Sequence, residues 1–354
     1  MRYYGPEVDV AATIDDALEL LEDTGPEFAG GLANHGPMAA EALVALGRDD
    51  AVIPWVERYK TRLQAHPSAR NAIDPRDWRE ALGQGERVGD WIAFFDRQLA
   101  EAPWPGVLDT WVERLAPGIV ASATHGVIRT GHAVRALSQE ETPLRLHELA
   151  EGLGYWAARY LLLPGTPSPG GGSLRPSQAV ARVELLPEEQ RTLRGAITGG
   201  LVRLQEFPPF AGAIDLIDTS SDASDVLSDL TETFARVYLA NHGLVIHFIH
   251  AVTGPSAVRL IAPHVSDQTS ALALRYAWQA AAALYAAFAT APPPTEVEAE
   301  PFDWDEIIDQ AVATGDEHAI KFAEACLREH RLKPSPAFPA AARDAASIIG
   351  RTRR

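Results

Sequence analysis

Histidines are the residues in this chain whose type and spacing could do chemistry. The 354-residue sequence contains eleven of them. His125 and His132 are seven residues apart, close to two helical turns, so both imidazoles lie on one face of a predicted helix. His247 and His250 are three residues apart and can also be neighbours on one helix. Neutral imidazole binds iron, zinc, copper and nickel, so histidines on apolar helix faces favour a metal centre.

Two further segments add to this pattern. His35 directly precedes a predicted helix, and His318 lies three residues before Lys321. A lysine on an apolar helix face can extend its ammonium to water, or it can be desolvated and have a lowered pKa. A neutral lysine amine can react with carbon dioxide to form a carbamate, which is an anionic oxygen ligand for metals. Glu324, one turn further along, is the competing anionic candidate.

The histidine pattern also has an ordinary structural explanation. A single histidine on an apolar helix face is commonly a core residue that is hydrogen-bonded to a carbonyl group. Four or five such residues in one chain weaken this explanation, although spacing alone leaves both interpretations open.

The elements that must position these residues are helices. Helical periodicity runs through most of the chain, whereas alternating strand patterns and a fixed repeat are missing. We therefore predict an all-α protein with ligands projecting from several helices into a central site. The predicted helices are Ile14–Leu21, Met38–Leu46, Val52–Gln64, Trp78–Leu82, Val88–Leu99, Val107–Leu115, Ile119–Leu137, Leu144–Leu162, Glu188–Leu204, Val226–Ala240, Leu244–Val252, Ala257–Pro263, Ala271–Ala289, Trp304–Ala313 and Glu317–His330.

We expect these helices to form a single domain over residues 1–354. Two segments interrupt the helical pattern: a Pro/Gly/Ser-rich loop at 163–178 and an acidic, proline-rich connector at 292–300. A loop as long as the first is either a solvated insertion or an ordered functional loop.

Charge, cysteine content and apolar segments limit which partners and which cellular location we expect. A net charge of −17 argues against binding to nucleic acid, because the phosphates would be repelled. One cysteine allows no internal disulfide and no zinc ribbon. The first residues, MRYYGPEVDV, do not form a signal-peptide pattern, and the apolar segment Ser270–Ala291 is interpreted as a buried helix, not a membrane span. We expect a cytoplasmic protein without nucleic-acid or membrane partners; the oligomeric state is left open.

Common catalytic signatures are missing from the sequence. It contains neither a phosphate-binding P-loop nor a Gly-x-Ser-x-Gly nucleophile elbow. The glycines of GLGYWA lie inside a helical pattern and do not follow a strand, so they do not form a dinucleotide fingerprint.

Four segments carry a resemblance to a known family. They are ANHGPMAAEALVALG at 33–47, ATHGVIRTGHAVRAL at 123–137, FIHAVTGPSAVRL at 248–260 and TGDEHAIKFAEACLREH at 314–330. In their order and spread over most of the chain they resemble the questin-oxidase-like family. The resemblance implies an all-helical fold and an oxidoreductase. Characterised fungal members act on anthraquinones and related aromatic polyketides, by Baeyer–Villiger-type oxidation or by oxidative ring cleavage.

The resemblance also implies a ligand set. A ring-cleaving member of the family is a non-haem iron dioxygenase whose iron is held by four histidines and a carboxylated lysine. Carried onto this chain, the ligands of Fe(II) are His35, His125, His250, His318 and Lys321. His125 is preferred to His132 because fungal relatives have an aromatic residue at the latter place. The chain is shorter than its fungal relatives and departs from them at Met38 and Arg129, where they tend to have further histidines.

The resulting hypothesis is an oxygenase that uses O2 on a small aromatic substrate such as a hydroquinone. Arg129, His132 and Tyr155 are the candidate catalytic residues. Arg129 could pair with a phenolate or form a structural ion pair. The aromatic residues that could line a flat pocket, or simply fill the core, are Tyr155, Trp156, Tyr276 and Trp278.

Three alternatives remain at this point. The first is an NADPH-dependent Baeyer–Villiger-type oxidase without flavin, for which NADPH would be a co-substrate. The second is a zinc-dependent hydrolase that uses the same histidines. The third is a non-enzymatic helical binding protein with the histidines in its core.

Overall fold

The computed structural model describes residues 13–191 and 196–352, and its regular structure is almost entirely helical. The α-helices are α1 (Ile14–Leu21), α2 (Gly36–Ala45), α3 (Asp49–Lys60), α4 (Val88–Glu101), α5 (Trp104–Leu115), α6 (His125–Gln139), α7 (Pro143–Ala158), α8 (Pro176–Ala179), α9 (Ile197–Val202), α10 (Ala223–Ala240), α11 (Val245–Ile261), α12 (Asp267–Phe288), α13 (Trp304–Ala313), α14 (Glu317–Leu332) and α15 (Ala337–Thr352). Strands β1 (Glu27–Phe28) and β2 (Leu32–Ala33) form a short antiparallel hairpin. The predicted all-α fold is confirmed.

Four helices in the middle of the molecule form a closed ring. Helix α2 packs against α6, α6 against α11, α11 against α14, and α14 against α2. The other helices surround this ring: α7 packs on α6, α10 and α12 flank α11, and α13 and α15 pack on α14. Helices α6, α11 and α14 each carry one predicted histidine ligand, and His35 directly precedes α2, so the ring directs four separate parts of the chain towards one place.

Glycines allow α6 to approach its neighbours closely. A Cβ atom on Gly126 would lie 2.7 Å from Trp156 Cα on α7, and one on Gly131 would lie 2.9 Å from the Ala257 carbonyl oxygen on α11. Glycine in a helix is less favourable than alanine by about 1 kcal/mol. Its use here is therefore explained by the contact between helix backbones.

The predicted helix Ile119–Leu137 begins later than expected, at His125. Ser122, Ala123 and Thr124 have φ values of 48°, 57° and 69°, in the left-handed region. Non-glycine residues rarely adopt this conformation. The sequence shows no glycine at these positions, so the turn could not be recognised from it.

The two predicted helices Leu244–Val252 and Ala257–Pro263 are one helix, α11, with Pro255 inside it. An internal proline removes a backbone hydrogen bond and costs about 3 kcal/mol. Packing overrides this local preference, because α11 is buried along most of its length between α6, α10, α12 and α14.

The predicted helix Glu188–Leu204 is shorter and broken. The structure has a 3₁₀ turn at Glu188–Gln190, α9 at Ile197–Val202 and another 3₁₀ turn at Arg203–Glu206. Residues 192–195 of this prediction lie outside the described part of the chain.

The two irregular segments are anchored to helices. In the 163–178 loop, the Ser168 backbone N–H donates to Asp215 Oδ1 at 2.9 Å, and Arg275 Nη1 on α12 donates to the Ser168 carbonyl at 2.9 Å. In the 292–300 connector, Arg236 on α10 donates to the Thr295 carbonyl at 2.5 Å. The loop is thus ordered, although its last residues begin α8.

One helical stretch among the described residues, His242–His264, is long and apolar enough to cross a membrane by length and composition. Because 72% of its most apolar 18 residues are buried inside the structure, the same stretch also has the properties of a core helix. The segment Ser270–Ala291 lies mostly in α12, which is buried within the helical core as expected.

The close approach of α6 and α7 can be tested with Gly126→Ala in metal-free protein. The added methyl group would meet the Trp156 backbone, and overpacking of this kind lowers the free energy of unfolding by about 1–3 kcal/mol. Urea unfolding measures the change. The matched control is Gly106→Ala in α5, where no atom lies within 4 Å of the new Cβ. The control should gain about 0.5–1 kcal/mol from helix propensity. Equal effects of the two substitutions would contradict the packing argument.

Candidate metal centre

Four histidines, three on ring helices and His35 directly before α2, converge near Lys321. The centroid of the His35 ring lies 4.6 Å from that of His125 and 4.5 Å from that of His318. One ligand atom from each of these three histidines lies within 4.8 Å of the others. His250 joins the cluster through Nε2, which lies 3.1 Å from His125 Nε2. The structure thus brings together all five residues expected to hold a metal.

The hydrogen bonds of His125 and His250 determine which ring nitrogen faces the cluster. His125 Nδ1 contacts the Ser122 carbonyl, and His250 Nδ1 lies 2.6 Å from the Ile246 carbonyl oxygen. Because a carbonyl only accepts, both Nδ1 atoms carry the hydrogen, and both Nε2 atoms carry a lone pair when the rings are neutral. Two lone pairs at 3.1 Å repel each other unless a cation lies between them. This arrangement fits a metal ion.

The other two histidines are oriented by polar side chains. His318 Nδ1 lies 3.2 Å from Asp316 Oδ1, which also accepts the His318 backbone N–H at 2.8 Å. A carboxylate on one ring nitrogen is the usual support for a metal-binding histidine. Lys321 Nζ lies 2.9 Å from His35 Nδ1, and because an ammonium only donates, this nitrogen accepts. His35 itself is held by a hydrogen bond from its backbone N–H to Tyr59 Oη, at 2.7 Å.

Burial keeps the imidazoles uncharged. It lowers the pKa of His125 to about 3, and the positive charge of Lys321 adds to the effect. Burial also brings the pKa values of His35 and His250 well below the ordinary value for histidine. At neutral pH these rings are therefore neutral and able to bind a metal.

Burial acts on the lysine as well. Lys321 is 3% exposed. Burial lowers the pKa of Lys321 to about 8, although the negative charges of Glu317 and Asp316 partly oppose this effect. An appreciable fraction of the side chain is then a neutral amine near neutral pH.

The left-handed turn at 122–124 positions His125. Three consecutive non-glycine residues with positive φ values cost about 1–3 kcal/mol each. The turn points the Ser122 carbonyl at His125 Nδ1. The Ser122 hydroxyl is hydrogen-bonded to Tyr155 Oη at 2.6 Å. Backbone strain is thus used here to hold a candidate ligand.

A cavity of about 410 Å³ opens onto the histidine cluster. It is lined by the hairpin, the 122–123 turn, the start of α9 and part of α11, together with the four histidines and Glu317. Its volume lies in the range typical of small-molecule sites, roughly 300–1,000 Å³. The wall is largely apolar, with Phe28 as its one non-histidine aromatic residue among the described residues. The site can therefore accept a small apolar molecule next to the histidines.

A family comparison agrees with this site. Residues 32–191 match the family model described as questin oxidase-like. Over this segment, which is less than half of the chain, the sequence is similar to the questin oxidase-like family. The predicted resemblance is confirmed, and the family suggests an oxidoreductase that acts on small aromatic polyketides. No curated protein matches the sequence.

The segment that matches the questin oxidase-like family contains only part of the candidate centre. His35 and His125 lie within it, whereas His250, His318 and Lys321 come from the chain beyond residue 191. The tertiary structure, and not the matched segment, brings the two groups of ligands together.

Arg129 and His132 do not line the cavity. Arg129 forms a two-pronged ion pair with Glu148, with both N–O distances at 2.6 Å. His132 Nδ1 lies 2.6 Å from Glu41 Oε2, in a buried network with Arg135. The structural ion pair is therefore the interpretation of Arg129 that the geometry supports. Neither side chain is placed to touch a substrate in the cavity.

The predicted aromatic lining is also absent from the cavity wall. Tyr155 is 1% exposed and lies behind the turn, where it supports Ser122. The indole N–H groups of Trp156 and Trp278 donate to the carbonyls of buried neighbouring segments, and Tyr276 packs in the core. Glu324, the competing anionic candidate, pairs with Arg135 and Arg328 instead. Helical spacing did not reveal which side of each helix faces the cavity.

His247 is a cavity residue that was not selected as a site residue from the sequence. It lies on α11 one turn before His250 and lines the cavity. Both of its ring nitrogens are buried without a hydrogen-bond partner among the described residues. Its ring packs edge-on against Phe288, with centroids 4.6 Å apart, and burial lowers its pKa. The three-residue spacing to His250 was the available signal for this residue.

Because several buried histidines are neutral in the folded state, we expect the free energy of unfolding of metal-free protein to fall in mild acid. The unfolded chain takes up protons near pH 6.5, whereas the lowered pKa values keep His35, His125 and His250 neutral when folded. The unfolded state then binds more protons, so stability falls as the pH falls. Each such histidine contributes about 1 kcal/mol between pH 6.5 and 5.5.

Thermal unfolding midpoints across pH 5–7 measure this effect, and the His250→Leu variant should show a shallower dependence. His132 and His247 act in the same direction, since burial lowers their pKa values too. A midpoint that stays constant or rises on acidification would contradict the assignment of neutral histidines.

Proposed function

We propose that this protein is a metal-dependent oxygenase that uses a non-haem iron(II) centre and O2 to oxidise a small aromatic substrate, such as a hydroquinone or related polyketide. The observation that carries this proposal is the convergence of four histidines and a buried lysine beside an apolar cavity. The family match supports the oxidative chemistry and the aromatic substrate class.

The ligands in this proposal are His35, His125, His250 and His318, with Lys321 as a carbamate. A lysine ammonium beside a metal ion would repel it, whereas a carbamate would attract it. In forming the carbamate, the neutral amine attacks carbon dioxide, a new N–C bond forms and one proton is released. The ammonium loses one proton to become the amine and the carbamate forms with loss of a second, so the charge at this position changes from +1 through 0 to −1. The lowered pKa of Lys321, about 8, favours the reactive amine form.

Iron held by these residues would supply the activation of O2. The Lys321 carbamate, as the one anionic residue of the set, would offset part of the charge of a bound metal ion. An electron-rich hydroquinone supplies electrons itself, so no flavin is required.

The cavity side chains bind and orient the substrate in this proposal. The apolar wall excludes water, and Phe28 offers an aromatic edge or face to a flat ring. The unpaired nitrogens of His247 can exchange hydrogen bonds with a phenol or quinone oxygen, because a neutral imidazole has one donor and one acceptor.

Lys321 provides a sharp test of the metal centre, because the sequence contains only two other lysines, Lys60 and Lys333. Untagged wild type should contain near-stoichiometric iron by elemental analysis. Lys321→Met should lose most of it, whereas the matched control Lys60→Met should retain it. With ¹³C-labelled carbon dioxide, a carbamate resonance should appear in wild type and Lys60→Met, and should be missing in Lys321→Met.

The other outcomes are also informative. A well-folded wild type that binds no iron, even when iron is added without air, would overturn the metal centre. Zinc in place of iron would favour the hydrolase alternative. Iron retained by Lys321→Met would remove the lysine from the ligand set but leave the histidines.

Oxygen uptake with a panel of hydroquinones tests the reaction itself, and His247→Leu tests substrate binding. Loss of one neutral hydrogen bond should raise KM about three- to tenfold while kcat changes little. His242→Leu is the matched control, because His242 lies exposed near the start of the same helical region and outside the cavity. Uptake that requires NADPH would favour the Baeyer–Villiger alternative. An unchanged KM in His247→Leu would contradict the role of His247.

A further inference from the structure

A second cluster of potential metal ligands lies apart from the four-histidine centre. His66 belongs to the 61–77 loop that follows α3, and His147 and Glu151 are one turn apart on α7. His66 Nε2 lies 2.6 Å from Glu151 Oε1, and His147 Nε2 lies 3.8 Å from the same oxygen. One ligand atom from each residue lies within 4.8 Å of the others. The cluster shares no residue with the first centre.

Asp96 on α4 orients one of these histidines. Its Oδ1 lies 2.9 Å from His147 Nδ1, so this nitrogen carries the hydrogen and Nε2 faces Glu151. The arrangement places a carboxylate behind a histidine whose other nitrogen is free to bind, which is typical of zinc sites.

The local charge favours a cation. Glu151 is 3% exposed, and its Oε2 has no aligned hydrogen bond among the described residues, although Arg129 Nη1 lies 3.1 Å away. Arg129 is already paired in two-pronged fashion with Glu148. Around the cluster, the carboxylates of Asp96, Glu148 and Glu151 outnumber the single guanidinium of Arg129.

The spacing is close to that of a tetrahedral zinc site. Zinc–ligand distances of about 2.0–2.1 Å place ligand atoms roughly 3.3 Å apart. The 2.6 Å separation must widen and the 3.8 Å separation must narrow, each by well under 1 Å. The His66 and His147 side chains are 28% and 35% exposed, so an ion can enter from solvent and a water molecule can complete the coordination.

We propose that His66, His147 and Glu151 form a structural binding site for a divalent transition metal, most simply Zn²⁺, which ties the 61–77 loop to α7. The loop is connected to the cavity wall: the His66 backbone N–H donates to the Asp23 carbonyl at 2.9 Å, and Ala65 pairs with Thr24, just before the hairpin. Zinc at this position therefore stabilises the segment that leads into the cavity-lining hairpin.

Zinc stoichiometry in the full chain tests this proposal. Metal-stripped, untagged protein is titrated with Zn²⁺ alone, by calorimetry and by elemental analysis after dialysis. His66→Ala and His147→Gln should each bind one equivalent fewer than wild type. Asp96→Asn should keep this equivalent with affinity reduced about 10- to 100-fold. The matched control His264→Ala, at a half-exposed histidine outside both clusters, should bind as wild type does.

Two further measurements separate this site from the first centre and from misfolding. His125→Ala should remove the other metal equivalent and leave this one, so failure of one proposal does not imply failure of the other. Hydrogen exchange should show that Zn²⁺ protects residues 61–70 in wild type but not in His147→Gln. Zinc stoichiometry that is unchanged in folded His66→Ala and His147→Gln would overturn the proposal, and so would a wild-type loop that Zn²⁺ does not protect.

Discussion

The centre depends on one interaction, the opposition of two neutral imidazoles whose Nε2 atoms lie 3.1 Å apart. The rings of His125 and His250 cannot turn away without breaking the hydrogen bonds of their Nδ1 atoms to backbone carbonyls. They also resist protonation, because burial favours the uncharged form. The two lone pairs are therefore held against each other in a buried position. Their repulsion is unfavourable without a cation, whereas both lone pairs can bind a cation that lies between them.

Several nearby features hold the rings of His125 and His250 in this arrangement. The left-handed turn at 122–124 stores backbone strain directly before His125, and the hydroxyl of Tyr155 supports it from behind. On the other side, α11 continues through Pro255 as a buried helix and thereby keeps His250 on a rigid element. Close glycine contacts bring α6 against both α7 and α11. The strained turn, the internal proline and the helical glycines each cost free energy locally. They are tolerated because the free energy gained from tertiary packing is larger.

Helices α6 and α7 connect the two candidate metal sites. Arg129 lies one turn after His125 on α6, and it contacts both Glu148 and Glu151 on α7. The ion pair that was considered a substrate contact thus belongs to the second cluster. The 61–77 loop adds a further connection, because its pairing with Thr24 leads to the hairpin at the cavity wall. Both clusters therefore lie along the same helix pair, and Arg129 on α6 reaches from the turn after His125 to Glu151 of the second cluster.

The sequence by itself determined the helical class, because helical periodicity is a local property of apolar spacing, and it identified the histidines and Lys321 as candidates. Only the tertiary structure decided which of them meet. His125 faces the centre beside His250 of α11, whereas His132, two turns further along the same face, meets Glu41 of α2. Residues far away in the chain decide whether Arg129 is paired and whether Tyr155 lines the cavity. They also decide how far burial lowers the pKa of each histidine. Spacing along one helix contains no information about those partners.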